Sequence, residues 1–220
     1  MKIKFVVVCM IAVLAIPIIA NAVTMTQTDS FTGSVLDFAR VSTFNKFDSS
    51  WGTLTSVTVS VGLQIDSGSF IADNDSDQPA SVTFTYQVNG ALTSGDVFIS
   101  PGVNLSISDN VGLTLGVENG DGVGVIDGTG PDGTYITPSS SLYTTAQVMA
   151  NPVFFVGSGT FDTLFSSARL FNIAGGSGIE GGYTNMTGTG SVEVVYEYVP
   201  EPATLALLGL GSLVLRKKRK

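Results

Sequence analysis

Histidine does not occur in this 220-residue chain. Its absence removes the usual general base, the usual zinc ligand and every Ser-His or Cys-His nucleophile pair. The one cysteine, Cys9, lies in an apolar run near the N-terminus, so the chain beyond residue 22 holds no thiol and no disulfide. Its stability has to come from core size rather than crosslinks. Basic residues are nearly as scarce. Of ten, Lys2 and Lys4 open the chain and Arg216 to Lys220 close it, leaving Arg40, Lys46 and Arg169 between. Against these three, Val23 to Val199 carries seventeen of the eighteen carboxylates, a formal charge of −14. Nucleic acid is excluded as a partner, because phosphate binding needs clustered Lys and Arg. The acidic balance fits a soluble, self-repelling extracellular surface.

The first 22 residues read as a secretory signal peptide. Lys2 and Lys4 give a positive start, Phe5 to Ile16 an apolar stretch, and Ala20-Asn21-Ala22 a small-x-small cleavage site. The apolar run is short of the ~20 residues that a membrane span needs, which disfavours a permanent N-terminal anchor. The expected mature chain begins at Val23. Export translocon and signal peptidase are the partners this end implies.

Beyond it the chain is rich in Gly, Ser, Thr, Asp and Val, with short alternating runs between turn residues. That pattern predicts an all-β fold, an antiparallel β-sandwich with Gly-rich loops over 23–198. Val57, Val59, Val61 and Leu63 alternate with Ser56, Thr58 and Ser60, as expected of a half-buried strand. Val82, Phe84, Tyr86 and Val88 repeat the pattern. So do Val103, Leu105 and Ile107, then Val111, Leu113, Leu115 and Val117, and at the end Val192, Val194, Tyr196 and Tyr198. Asn89-Gly90 and Asp109-Asn110 read as turns. Ser141–Ala150 and Thr160–Ala174 fit helix or strand, since Phe161, Leu164, Phe165 and Ala168 also keep helical spacing. Stretches 119–133 and 175–182 read as long Gly-rich loops.

Chemical motifs fail on inspection. Gly128 to Gly133 matches G-x-G-x-x-G, but Pro131-Asp132 suits a turn and no helix is predicted after it. Asp73, Asp75 and Asp77 have calcium-loop spacing, yet Gln78 replaces the turn glycine and Phe84 the closing glutamate, so a solvated hairpin loop is the better reading. Asn119, Asp121, Asp127 and Asp132 could surround a weak calcium in a Gly-rich loop, and ordinary Asp-Gly turn chemistry is again the better reading. No catalytic residue, metal site or cofactor is predicted, and the chain is read as not an enzyme.

The C-terminal end is the informative one. Pro200-Glu201-Pro202 interrupts the last strand, Ala203 to Leu215 carries no charge, and Arg216, Lys217, Lys218, Arg219 and Lys220 form a basic stop. The thirteen apolar residues would span only about 20 Å as a helix, against a hydrocarbon core of ~30 Å. The reading is a marginal C-terminal transmembrane helix, mirroring the N-terminal signal helix, with a plain single-span anchor as its alternative. This three-part end over 199–220 resembles the PEP-CTERM sorting signal, also labelled an ice-binding-protein C-terminal domain. The resemblance implies an exosortase-type partner that removes the tail, a transient stay in the inner membrane, and delivery to the cell surface or an exopolysaccharide matrix. Separately, Phe44 to Val57, with Phe47-Asp48 and Gly52-Thr53-Leu54-Thr55-Ser56-Val57, and Gly188 to Val194 resemble a choice-of-anchor E domain. That resemblance implies no activity. The resulting expectation is an exported, non-enzymatic surface or matrix protein. Its rivals are a polysaccharide-binding module that stacks sugars on Trp51 and tyrosines, and a polysaccharide-active enzyme working with two carboxylates.

Overall fold

Period-two alternation places one face of each strand in the core, and the strands are long. The computed structural model describes residues 21–34, 38–99, 102–120, 122, 124–137, 143–184 and 186–201. Within them run β1 (Val23–Ser34), β2 (Phe38–Asn45), β3 (Gly52–Ser67), β4 (Phe70–Asn74), β5 (Ala80–Thr93) and β6 (Val103–Leu115). These are followed by β7 (Thr134–Ile136), β8 (Tyr143–Ala150), β9 (Thr160–Ala174), β10 (Ile179–Tyr183) and β11 (Thr187–Pro200). Two short 3-10 turns, Ser49–Trp51 and Pro152–Phe155, precede β3 and β9. Among the described residues no helix is long and apolar enough to cross a membrane. The predicted signal helix and C-terminal transmembrane helix lie outside the described residues.

One four-stranded sheet has the order β1-β11-β3-β8, a second β2-β9-β5-β6, and a three-stranded sheet β10-β4-β7. The strand pairs are antiparallel. The β3–β11 ladder runs from Gly52 opposite Pro200 to Ser67 opposite Thr187, and Phe70 opposite Tyr183 resumes it as β4–β10. Between the two larger sheets lie Val57, Val59, Val61, Leu63 and Ile65 of β3, Phe84, Tyr86 and Val88 of β5, and Val192, Val194 and Tyr196 of β11. Phe31 of β1 meets Phe165 of β9 with ring centroids 5.4 Å apart, so rings from the two sheets interdigitate. Each such side chain contributes roughly 1.5–3 kcal/mol on burial. A core of this extent holds a sandwich without a crosslink.

Several expectations are corrected. Asn89-Gly90 is no turn: it lies inside β5, with Asn89 opposite Ser106 and Gly90 opposite Leu105. The glycine is there for space, since a Cβ on Gly90 would sit 2.8 Å from Leu105 Cδ1 and 2.9 Å from the Phe165 ring. Asp109-Asn110 is likewise mid-strand in β6. Asn110 Oδ1 accepts a 2.6 Å hydrogen bond from Thr85 across the ladder, so a polar cross-strand pair occupies the position read as a turn. The segments that fitted helix or strand are strands β8 and β9, with Ser141 and Leu142 outside the described residues. Half of the supposed loop 175–182 belongs to β10, paired with β4. The last strand continues through Val199 to Pro200, two residues past the predicted domain boundary.

Candidate functional site: the end that carries the sorting tail

β11 delivers the sorting motif directly. Pro200 is its last residue, half-buried opposite Gly52, and Glu201 follows it exposed. Gly52 is required there twice over: its φ of 144° is strained for any residue with a side chain, and a Cβ would lie 2.2 Å from the Val199 carbonyl oxygen. The chain of β11 therefore leaves the sheet pressed against the start of β3. Thr55 Oγ1 donates to the Glu197 carbonyl at 2.8 Å and Ser56 Oγ to the Glu197 carboxylate at 2.9 Å, fixing the last turn of the exit.

Beneath it sits an aromatic hub. Phe47 is fully buried, with ring centroids 5.1 Å from Tyr198, 6.0 Å from Tyr196 and 5.7 Å from Trp51. Its backbone N–H donates to Phe155 O at 2.8 Å, and Gly157 N–H donates to Phe47 O at 3.0 Å, which ties the Pro152–Phe155 turn to the hub. Tyr196 buries its ring and donates its hydroxyl to Asn45 O at 2.8 Å; burial pushes the phenol's pKa well up. Gln27 of β1 exchanges two 2.9 Å hydrogen bonds with the Asn45 backbone. Asp48 accepts from Ser50 N–H at 2.8 Å, capping the turn that carries Trp51, and that bond holds its carboxyl below the usual range.

The predicted cleavage residue Ala22 is exposed and adjoins β1, and Val23 pairs with Tyr198. Both chain ends thus leave the same end of the same sheet. Ala20, Pro202, Arg216, Lys217, Lys218, Arg219 and Lys220 lie outside the described residues. Sequence reasoning missed the apolar surface on this end, formed by Trp51, Phe98, Val153, Phe154 and Val156. A signal was available: Val153-Phe154-Phe155-Val156 is an unbroken apolar run between Pro152 and Gly157, with no alternation.

The acidic positions serve the fold at the opposite end. Asp73 is buried rather than solvated, which corrects the hairpin-loop reading; its carboxylate accepts from Asn74 N–H at 3.0 Å and Asp127 N–H at 3.1 Å. Burial raises its pKa, and the neighbouring Asp132 and Asp75 charges push the same way. Asp75 accepts from Gly124 N–H at 2.9 Å, and buried Asp132 clasps Asn119 through bonds of 2.7 and 2.9 Å. Asp73 and Asp75 tie the Gly-rich loop to the end of β4, while Asp132 closes the loop on itself. Gly128 to Gly133 is followed by strand β7, so no helix N-terminus faces it. Among the described residues no group of three or more potential ligands could hold a metal ion.

Trp51 and the exposed tyrosines Tyr135 and Tyr183 do not share a surface. Tyr86 and Tyr196 are buried. Trp51 precedes β3, whereas exposed Tyr135 and Tyr183 sit opposite Ile71 and Phe70, beyond the far end of that strand. Sixteen residues of β3 put about 50 Å between them.

No curated protein matches this sequence. Among solved structures, a chain from "Bacillus endospore appendages form a novel family of disulfide-linked pili" is similar at 12% identity, covering 82% of this chain and 92% of that one, with a TM-score of 0.25. The VP2 subviral particle of infectious bursal disease virus follows at 10% identity, 90% and 49% coverage and a TM-score of 0.20. Likenesses this distant carry no argument about fold or function. The informative match is local: residues 199–220 carry the PEP-CTERM protein-sorting motif, which implies export through the exosortase sorting system to the cell surface.

Proposed function

We propose that this chain is a non-enzymatic surface or matrix protein, a β-sandwich held in the inner membrane by its tail and then freed from it by an exosortase-type enzyme. The observation that carries the reading is the direct junction of fold and tail. β11 ends at Pro200, within the motif that matches residues 199–220, so the apolar run begins three residues after the sheet stops. Glu201 is exposed beside that junction, where a processing enzyme in the membrane could reach it. The likeness to a choice-of-anchor E domain is part of the same proposal; its two segments fall on or beside the paired strands β3 and β11 but at different points of the ladder, Val57 lying opposite Tyr196 and Val194 opposite Val59. With three cations against seventeen carboxylates, and with Asp73, Asp75 and Asp132 accepting from backbone N–H groups, the reading favours display over catalysis.

Mass spectrometry of the C-terminal peptide from the native host tests this. Processing predicts that surface material ends near Pro200, and that replacing Glu201 or both prolines leaves an uncleaved precursor in the inner membrane. An intact peptide ending at Leu215-Arg216 in mature material would overturn the reading and leave a permanently anchored protein.

A further inference from the structure

The exposed apolar residues at the tail-bearing end have no explanation in the core. Trp51 is 45% exposed, Phe98 59%, Val153 75% and Phe154 44%. They belong to one surface. Phe98 and Phe154 pack ring to ring at 5.8 Å, the 152–155 turn is hydrogen-bonded to Phe47, and Phe47 carries Trp51 on its edge. The loop bearing Phe98 is pinned to this end by Asp162 N–H donating to Asp96 at 2.8 Å. All lie on the end from which β11 exits, because Phe47 also contacts Tyr198.

We infer that this tip is an interfacial membrane contact: in the precursor, Trp51, Phe98, Val153, Phe154 and Val156 rest in the headgroup layer of the bilayer that holds the tail. The inference rests on the proposed membrane hold of residues 203–215. Two lengths support it. From Pro200 to Ala203 the chain advances three residues, at most about 10 Å. The headgroup layer is itself roughly 5–7 Å deep on each side of the hydrocarbon. The end of the sandwich therefore cannot stand clear of the lipid. As a helix, the thirteen residues 203–215 would reach only about 20 Å of a ~30 Å core, and with Arg216 to Lys220 drawn to the opposite headgroups that shortfall would pull the domain down. Aromatic and aliphatic groups are what an end pressed into that layer presents to it. The placement of Lys46, one of only three cations in the domain, on this same end through its 2.9 Å bond to Gly159 fits an approach to phosphate headgroups.

Trp51 is the only tryptophan in the chain, so its fluorescence reports the tip alone. The test reconstitutes the full-length chain into phosphatidylcholine–phosphatidylethanolamine vesicles, checks co-flotation, and measures quenching of Trp51 by lipids brominated near the headgroup. The expected result is co-flotation, a blue-shifted emission and strong quenching by the shallow bromolipid, with acrylamide quenching reduced. Val153→Asp and, separately, Phe98→Ser should each roughly halve the bromolipid quenching. Both sites are exposed, and an unchanged circular dichroism spectrum confirms the fold. Co-flotation with Trp51 unquenched overturns the tip contact and leaves the tail reading intact. Equal quenching in wild type and both variants overturns it too, since the tail alone would then set the distance. Failure to co-float overturns the membrane hold and the tip contact together. Protection of Trp51 only when an exosortase is co-reconstituted overturns the lipid contact in favour of a protein one.

Discussion

Val23, the first residue of β1, lies opposite Tyr198 near the end of β11. The residue expected to start the mature chain and the last residues before the sorting motif are thus neighbours across one ladder. On the expected signal peptide and the proposed tail processing, both segments reach the membrane from this end, and the domain need not turn round between them.

The hub under that end should dominate local stability. Phe47→Ala removes a fully buried ring that touches Trp51, Tyr196 and Tyr198, and should cost about 3–5 kcal/mol. Urea unfolding checks it. A loss under about 1 kcal/mol, the range of ordinary surface changes, would show that the hub is incidental.

Two glycines should respond differently to the same added methyl group. At Gly52 a Cβ meets the Val199 carbonyl at 2.2 Å on a backbone with φ of 144°, and backbone cannot step aside. At Gly90 it meets the ends of Leu105 and Phe165 side chains. Gly52→Ala should therefore destabilise by about 3 kcal/mol or more, combining strain and clash. Gly90→Ala should cost only about 1 kcal/mol. Thermal or urea melts giving the reverse order would mean the β11 exit is looser than described.

These two positions also show what was legible in the sequence. Period two was visible in Val57 to Leu63 and in Val82 to Val88 because each inward residue is apolar and each outward one polar. It failed at Asn89-Gly90 and Asp109-Asn110 because turn residues report what dihedrals a position tolerates, not what it must adopt. A long strand can host them when a neighbour needs the space or a polar partner. Leu164 misled in another way. It is exposed opposite exposed Val41 on the outer face of β9, and that outward apolar pair gave the segment its helical spacing. The unbroken apolar run at the tip was visible, but not which of its residues face out: Phe155 and Phe161 are core while Phe154 and Val153 are exposed, and only the turn geometry decides which.

Asp73 sets a pH dependence of definite sign. Its folded pKa is raised, so between the ordinary carboxylate value of 3.8 and that raised value the folded state binds more proton than the unfolded one. This group's contribution is therefore full below 3.8 and declines as the pH rises through the folded pKa. Comparing wild type with Asp73→Asn by urea unfolding across the acid range isolates it. Wild type should gain on the variant as pH falls; a gap that narrows instead would contradict a pKa raised by burial.

The pairing of β1 with β11 also orders events in time. β1 lies at the edge of its sheet with β11 as its one neighbour there. In a chain exported from its N-terminus, the first strand to emerge waits unpaired until the last has crossed. The tail follows that last strand at once, so it reaches the translocation channel while the sheet is still open. On the proposed membrane hold, folding and capture compete on the same clock, and a temporary hold suffices if it outlasts the closing of one ladder.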